Sequence, residues 1–441
     1  IFAGKMEIAI PKNDKKIIRA WTMYDWANSV YSLVITSAIF PVYYSAVTSA
    51  DGNDLVHLFG REYTNTSLYS YTLSASFLLI AMLSPMLAGI ADYRGIKRAF
   101  MQFFCFLGAA ACAFLFFFTG KENLWIGILG FFLASIGWSG SIVFYNAFLP
   151  EIADKEHHDS VSARGFALGY IGSSLLLIFN LIMIMQPQLF GITDGGLPAR
   201  ISFLMVGLWW AGFAFYTFRY LPKRTRKKVT NGNIFFNGFE ELLQVFKQVR
   251  KQKVLPVFLL SFFFYNMGVQ TVMYVAALFG DKELKLESSQ LIITVLIIQF
   301  VAIGGAYLFS NLSYRFGNFR ALIIAIFIWI GICIAAYYTY TALQFYAVAF
   351  VVGMVMGGIQ SLSRSTYSKL LPETHDTASY FSLYDVCEKI GLVLGTATYG
   401  LVEELTGSMR NSVVALIFFF VAGLFLLIYA SKQRKRKPLI S

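Results

Sequence analysis

Charged residues are scarce in this chain of 441 residues, since Asp, Glu, Lys and Arg make up only 14% of it, against roughly 25% in an ordinary soluble domain. Hydrophobic residues make up 57%, and 44 positions are Phe. A soluble fold cannot cover so much apolar surface. The composition therefore excludes a cytosolic enzyme, a secreted disulfide scaffold and a disordered chain, and it indicates a membrane protein.

Cysteine and histidine are also rare, with four residues of each. The cysteines lie inside apolar runs and form no CxxC pair, so we interpret them as small core residues rather than as disulfides or zinc ligands. The histidines fall in predicted loops without an HExxH pattern, and His157 and His158, beside Asp154 and Asp159, are expected in a solvated polar loop. The sequence has no GxxxxGKS/T phosphate loop. We expect no metal, no cofactor and no ATP-driven mechanism.

Twelve apolar runs are long enough to cross a bilayer, whose hydrocarbon core of about 30 Å needs about 20 helical residues. The runs are continuous rather than alternating, which favours helices over a barrel. They cover residues 24–47, 68–91, 100–119, 124–148, 166–185, 201–220, 254–279, 291–312, 321–340, 345–362, 380–402 and 412–430. The predicted fold class is therefore an all-α membrane protein with twelve transmembrane helices.

The distribution of basic residues predicts the orientation of these helices. If both chain ends lie in the cytoplasm, only six of the 36 Lys and Arg residues fall outside, Lys389 falls within a helix, and the other 29 lie inside. Cytoplasmic loops carry such an excess. We therefore expect both termini in the cytoplasm, and the net charge of +12 is explained by topology and by contacts with anionic lipids rather than with nucleic acid.

The longest polar stretch divides the predicted helices into six and six. We predict an N-terminal six-helix bundle in residues 1–220, a cytoplasmic linker in 221–253, and a C-terminal six-helix bundle with a basic tail in 254–441. Apolar residues at helical spacing in the linker predict an amphipathic helix, which lies either on the inner leaflet or packed under the bundle.

Two short segments repeat between the halves. Leu149-Pro150-Glu151 recurs 222 positions later as Leu371-Pro372-Glu373, and Tyr93-Arg94-Gly95 recurs with one inserted residue as Tyr314-Arg315-Phe316-Gly317. Both pairs sit at matching inner helix ends, which indicates a duplication. Two parallel copies of six helices predict pseudo-symmetric bundles with a site between them near the membrane midplane.

A polar turn between the second and third predicted helices resembles the signature loop of the major facilitator superfamily. The candidate gating residues of this turn are Asp92, Arg94, Gly95, Lys97 and Arg98. Glycine allows a tight turn, and the carboxylate can meet either Arg94 or the positive N-terminus of a helix from the other half. A turn that only fixes the topology is the alternative. In the second copy, Ser313 and Tyr314 flank the place of the acid, so we expect a charged contact from the first copy alone.

Five longer segments narrow this resemblance. They read WTMYDWANS (21–29), YNAFLPEI (145–152), SARGFALGYIGS (162–173), GGIQSLSRS (357–365) and FSLYD (381–385). Together they resemble the "unknown major facilitator" family of bacterial membrane proteins, whose eukaryotic relatives are vacuolar amino-acid effluxers linked to autophagy. The resemblance implies a major facilitator fold and alternating-access transport.

The eleventh predicted helix carries three ionisable residues, Asp385, Glu388 and Lys389. A charge at the bilayer centre costs about 2.5–3.5 kcal/mol on insertion scales, which favours a functional role. Asp385 and Lys389 are four residues apart and face the same side. One acid remains after pairing, so we expect Asp385 or Glu388 to titrate or to bind a substrate amine. A self-neutralised pair that fixes helix packing is the alternative.

Uncharged polar residues of both halves are the candidate substrate-binding groups. They are Asn28, Tyr145, Asn146, Tyr265, Asn266, Gln270 and Gln360. Asp25 begins a polar stripe on the first helix and is either a gating residue or an interfacial group. Arg364 at the inner end of the tenth helix either holds a carboxylate in bidentate geometry or extends to the interface as an anchor.

These patterns predict a secondary active transporter of a small solute, with an amino acid implied by the resemblance. Buried acids favour a proton gradient as the energy source. The alternatives are transport of a peptide, a sugar or a drug, and a lipid-modifying membrane enzyme, which needs a clustered base or metal site. We expect a monomer in the bacterial cytoplasmic membrane, with the solute, protons and membrane lipids as its partners and no nucleic acid.

Overall fold

The structure is a computed structural model that describes residues 11–49, 52–223 and 234–435. Twelve helices form the bundle, and a further helix, Ile234–Lys251, lies between the sixth and the seventh and is named the linker helix. The bundle helices are α1 (Lys15–Thr48), α2 (Asn65–Arg94), α3 (Lys97–Phe114), α4 (Leu124–Asn146), α5 (His158–Met185), α6 (Leu197–Tyr220), α7 (Leu255–Leu284), α8 (Ser288–Phe316), α9 (Asn318–Tyr337), α10 (Ala342–Leu370), α11 (Thr377–Thr406) and α12 (Met409–Lys435).

Within the described residues, eleven of these helices are long and apolar enough to cross a membrane. The twelfth, α11, has 30 residues and carries Asp385, Glu388 and Lys389 near its middle. The predicted all-α membrane fold is confirmed. Most helices extend past their predicted ends because capped polar residues continue them beyond the apolar run. For example, α1 begins at Lys15, where the Asp14 carboxylate accepts hydrogen bonds from two backbone amides.

Short elements complete the connections. Strands β1 (Leu55–Leu58) and β2 (Arg61–Thr64) pair antiparallel between α1 and α2, with Leu55 opposite Thr64. A four-residue α-helical turn (Leu149–Ile152) precedes α5, and 3-10 turns cover Leu115–Phe117, Lys121–Asn123 and Pro187–Phe190.

The turn between α2 and α3 is as tight as its glycine predicts. Gly95 has φ 69° and ends α2, and its amide bonds to the carbonyl oxygens of Ala91 and Asp92. Residues that have a Cβ atom rarely adopt this left-handed backbone conformation. We use the side of this turn as a reference and name it the lower side of the bundle.

The middle of α1 departs from α-helical geometry. Residues Tyr31–Ala38 form a π-helix, in which the Ser37 hydroxyl donates to the Ser32 carbonyl oxygen at 2.9 Å. Such segments are rare and frequently occur at functional sites. This one contributes Ser32, Leu33 and Ser37 to the cavity described below.

The first six and the last six helices form two groups that meet along a few helix pairs. Within the groups, α3 packs on α4, α1 on α5, α8 on α10 and α7 on α12. Glycines allow the closest approaches: a Cβ atom on Gly357 of α10 would lie 2.2 Å from the Ala302 carbonyl oxygen of α8. Between the groups, α2 packs on α11, and α5 packs on α8 and α10.

The linker helix packs against the bundle. A Cβ atom on Gly89 of α2 would lie 2.2 Å from the Gly238 carbonyl oxygen, so the two backbones are in direct contact. Val245 and Val249 are buried on the same side of the linker helix. The structure therefore has the helix packed on the bundle, as one of the two predicted arrangements requires, and another side of the helix stays exposed. Residues 224–233 of the predicted linker and residues 436–441 of the basic tail lie outside the described residues.

Candidate functional site

A polar cavity of about 190 Å³ lies between the two groups of helices. Side chains of α1, α4, α5, α7, α8, α10 and α11 line it. The lining includes most of the predicted candidates, namely Asp25, Asn28, Asn146, Tyr265, Asn266, Gln270, Gln360 and Glu388. Tyr145, Asp385 and Lys389 are buried next to these residues. Their roles in substrate binding or coupling stay predictions. The fold brings these residues of both halves together around one cavity.

An ion pair between the halves marks the lower end of the cavity. The Arg364 guanidinium of α10 donates to Asp25 Oδ2 of α1 at 3.1 Å, and the Tyr145 hydroxyl donates to the same oxygen at 2.7 Å. Further guanidinium bonds reach Ser162 Oγ at 2.9 Å and Asn146 Oδ1 at 3.3 Å. One cation of the second half is thus held by three helices of the first.

Of the two alternatives for Arg364, the interfacial anchor is wrong, because the side chain is only 4% exposed and pairs with a carboxylate. The guanidinium lies 4.2 Å from the ring centre of Phe166 and 4.8 Å from that of Trp21. Its burial depends on the Asp25 carboxylate, since a buried charge without a partner is strongly destabilising. Asp25 is likewise buried rather than interfacial.

Glycine at position 165 makes room for this ion pair. A Cβ atom there would lie 2.3 Å from Asp25 Oδ2 and 3.0 Å from Arg364 Nη2. Any larger residue would push the two charges apart. Close packing against the ion pair therefore explains the first glycine of the segment SARGFALGYIGS, Gly165.

Asp385, Glu388 and Lys389 of α11 form a second, largely buried cluster. Lys389 Nζ lies 3.4 Å from Asp385 and 3.7 Å from Glu388, and Gln270 of α7 donates to Glu388 at 3.1 Å. Among the described residues, neither carboxylate oxygen of Asp385 has a hydrogen-bond partner. The ammonium also lies 5.0 Å from the ring centre of Trp138 on α4. The cluster carries one excess negative charge when all three groups are ionised, and it touches both halves.

Hydrogen bonds between uncharged side chains also cross or border the cavity. The Tyr170 hydroxyl of α5 donates to Gln360 Oε1 of α10 at 2.6 Å. Tyr265 and Ser363 share a hydrogen bond of 2.7 Å within the second half. In the described part of the chain, the amide nitrogens of Asn28 and Asn266 have no partner, so both donors remain available to a solute.

The predicted gating carboxylate, Asp92, meets a helix N-terminus of the other half. Its oxygens accept hydrogen bonds from the amides of Ala378 and Ser379 at 3.3 and 2.7 Å, and from the Ser379 hydroxyl at 2.8 Å. These groups belong to the first turn of α11, where the helix dipole is positive. Arg94, the other predicted partner, is exposed. We name this the α2–α11 contact.

The basic residues after the turn have distinct partners. Lys97 is buried and bonds to Glu151 at 2.6 Å and to the Thr377 hydroxyl at 2.7 Å, so it links the same two halves beside the α2–α11 contact. Arg98 donates to the carbonyl oxygens of Phe218 and Leu221, and it thereby joins α3 to the end of α6.

The prediction that only the first copy forms a charged contact is wrong. Asp159, at the start of α5, accepts hydrogen bonds from Ser313 of α8 at 2.5 Å, from Asn318 at 2.7 Å and from Lys369 of α10 at 2.6 Å. The acid is missing from the end of α8, as predicted, but α5 supplies it from the opposite side. We name this the α5–α8 contact.

This contact also corrects part of the predicted solvated loop, since Asp154 and His157 are exposed as expected but His158 and Asp159 are buried. His158 is 1% exposed and Asp159 is 7% exposed, because α5 begins at His158 and packs its first turn on the other half. Sequence reasoning missed Asp159, Lys369 and Glu151 as functional candidates. The repeated Leu-Pro-Glu segment was a signal for Glu151, whereas the partners of Asp159 lie 154 to 210 positions away.

Fold and site together define a class of protein. The E. coli fucose:proton symporter FucP is similar to this chain with a TM-score of 0.67 at 13% identity, over 94% of this chain and 97% of FucP. The proton:xylose symporter XylE is similar with a TM-score of 0.71 at 13% identity, over 95% of each chain. The chain has the fold of the major facilitator superfamily.

The sequence comparisons give the family within this class. The chain belongs to the vacuole effluxer Atg22-like family, whose model matches residues 13–439. YxiO of Bacillus subtilis strain 168, described as an uncharacterized MFS-type transporter, is 34% identical over 416 residues, which is 94% of each chain. Autophagy-related protein 22 of Yarrowia lipolytica is 26% identical over 476 residues, 86% of this chain and 78% of the relative. The resemblance seen in the sequence is confirmed, and with this family and these relatives the chain is an integral membrane transporter rather than an enzyme.

Proposed function

We propose that this transporter moves a small zwitterionic solute, an amino acid, by alternating access. The observation that carries the proposal is a polar cavity between the two halves. On the lower side, this cavity is closed by contacts between the halves. Alternating access requires such a pocket, reached from one side at a time. We propose residues 1–220 and 254–441 as the two moving units and residues 221–253 as their connection.

The lower side faces the cytoplasm in this proposal. The excess of Lys and Arg in the loops of that side supports this orientation. The α2–α11 contact, the α5–α8 contact and the Asp25–Arg364 pair would then belong to the conformation closed to the cytoplasm. The Bacillus subtilis relative supports a bacterial cytoplasmic membrane as the location. A cavity built within one chain supports a monomer as the working unit.

The cavity offers complementary groups for the two ends of an amino acid. Glu388 provides a carboxylate for the amine, and the free amide donors of Asn28 and Asn266 suit the carboxylate. A sugar needs no such separation of charge. The vacuolar amino-acid effluxers that the sequence resembles support the same substrate class.

Arg364 is the strongest carboxylate receptor that lines the cavity, and Asp25 occupies it in this conformation. Arginine binds a carboxylate with two parallel hydrogen bonds, which a substrate carboxylate can also make. A substrate that competes with Asp25 for the guanidinium weakens the pair that joins α1 to α10. In this way solute binding favours opening of the lower side.

The cluster on α11 supplies the coupling in this proposal. Asp385 lacks hydrogen-bond donors among the described residues other than its ion partner, so protonation costs it few contacts. A proton on Asp385 leaves Lys389 to pair with Glu388 alone, which removes Glu388 as a receptor for the amine. Proton binding and substrate release are thereby linked through one lysine.

Uptake into proteoliposomes tests this function. Purified protein is reconstituted, and a panel of radiolabelled amino acids, short peptides and sugars is offered with and without an imposed pH difference. We expect accumulation of one or more amino acids that depends on the pH difference. Accumulation of sugars or peptides alone would contradict the substrate class, and amino-acid exchange that ignores the pH difference would contradict proton coupling.

A further inference from the structure

The linker helix has an apolar face that the bundle does not cover. Phe239, Leu243 and Phe246 are 51%, 40% and 47% exposed, although their spacing places them on one side of the helix. The bundle covers a different side, with Gly238 on α2 and Val245 buried. The exposed stripe therefore adjoins the packed face and extends the apolar surface of the helix outward.

The linker helix lies at the lower ends of α2 and α11. The bond between Asp92 and Ser379 sets a common level for the lower ends of α2 and α11. At 1.5 Å per residue, Gly89 lies about 4.5 Å deeper than Asp92, and Tyr380 lies about 1.5 Å deeper than Ser379.

The two ends of the linker helix meet these two points. Gly238 contacts Gly89, and Gln248 accepts a hydrogen bond from the Tyr380 hydroxyl at 2.9 Å. Over the roughly 15 Å between Gly238 and Gln248, the linker helix therefore runs from α2 to α11 beside their lower ends. This is the level at which a helix can lie in the interface between headgroups and acyl chains.

Basic residues adjoin the exposed stripe at the C-terminal end of the linker helix. Lys247, Arg250 and Lys251 are exposed, and the Arg250 guanidinium lies 6.0 Å from the ring centre of Phe246. Going around the helix at about 100° per residue, the bundle-facing side is followed by the apolar stripe, with Arg250 at its C-terminal end. The next side carries Lys247, Lys251 and one exposed acid, Glu240. A helix in the interface needs this order, with protein, acyl chains and anionic headgroups each on one side.

We propose that the exposed face of the linker helix binds the anionic lipid surface on the lower side of the membrane. The partner is the headgroup layer and upper acyl region of a leaflet rich in anionic lipids. Because the same helix touches α2 and α11, which belong to different halves, lipid binding holds these helices together. Anionic lipids therefore favour the conformation closed on the lower side.

Adjacent cysteine positions test the depth of the helix. Spin labels are placed at Leu243→Cys or Gln244→Cys in full-length protein whose four native cysteines are replaced, and the protein is reconstituted into nanodiscs. Position 243 lies on the stripe, and position 244, also exposed, lies about 100° further around the helix, away from the stripe and beside Lys251. We expect label 243 to collide preferentially with oxygen and label 244 with a water-soluble nickel chelate. Aqueous accessibility at both positions would overturn the proposal.

Lipid composition tests the coupling. Spin labels at Glu156→Cys and Arg320→Cys, both exposed on the lower side of different halves, report the lower closure by electron–electron distance measurement. We expect phosphatidylglycerol to raise the ratio of closed to open protein about fivefold over pure phosphatidylcholine. A variant with Lys247, Arg250 and Lys251 replaced by Gln should lose this response. An equal response in the variant would refute the role of these residues.

Discussion

The α2–α11 contact allows a quantitative prediction. Asp92 accepts three hydrogen bonds from the first turn of α11, and the closest is 2.7 Å. Asp92→Asn keeps the shape and one acceptor oxygen but removes the charge that interacts with the helix dipole. A charge at a helix terminus contributes up to about 2 kcal/mol when partly buried. We expect the free energy that favours the closed over the open conformation to fall by about 1–2 kcal/mol in the variant. This change lowers the closed-to-open ratio about 5- to 30-fold.

The assay is the distance distribution between spin labels at Glu156→Cys and Arg320→Cys. The long-distance population, which reports the lower side open, should grow in Asp92→Asn. Arg94→Gln is the matched control, because Arg94 belongs to the same turn but is exposed. Equal shifts in both variants would mean that the turn acts through Arg94, and no shift in Asp92→Asn would refute the contact with α11 as a determinant of closure.

Three further predictions concern the other buried charges. Asp159→Asn should open the lower side more strongly than Asp92→Asn, about thirtyfold or more in the same distance assay, since it leaves Lys369 without its carboxylate. Arg364→Lys should retain folding, judged by its melting temperature, but should lower uptake about tenfold or more because an ammonium cannot make the same forked contacts; unchanged uptake would exclude the guanidinium from the transport cycle. Asp385→Asn should abolish accumulation driven by a pH difference, whereas Glu404→Gln, an exposed acid on the same helix, should not; full accumulation in Asp385→Asn would remove that residue from coupling.

The fold follows from the sequence because its determinants are local. Each apolar run needs only its own length and hydropathy to predict a spanning helix, and Asp14 and Gly95 mark two of the helix ends. The convergence of Asn28, Asn266 and Gln360 on one cavity was also predictable. Polar groups in a spanning helix must face a cavity or another helix, and the repeat places both halves around one centre.

The charged partners were harder to predict because they are set by contacts distant in sequence. Arg364 reads as an interfacial anchor unless Asp25, 339 positions away, is known to neutralise it. Asp159 reads as a loop residue unless α5 is known to begin at His158 and to pack on α8. The linker helix has an amphipathic pattern whichever side meets the bundle. In each case the residue type was visible and its environment was not.

The two lower contacts show why a search for a repeated acid failed, and they lead to a final prediction. Ser313 stands where the repeat would place Asp92, while Ser379 and Asp159 both lie in the first turns of α11 and α5. In one contact the first half supplies the acid from the end of α2, and in the other it supplies the acid from the start of α5. A hydrogen bond across the halves needs one acceptor and one donor, and either helix can carry either group. If opening breaks both contacts together, the effects of Asp92→Asn and Asp159→Asn on closure should add in the double variant, because the two contacts share no residue. A double variant no more open than Asp159→Asn alone would instead mean that the α2–α11 contact has already separated when the α5–α8 contact is lost, so that the halves do not rock as two rigid units.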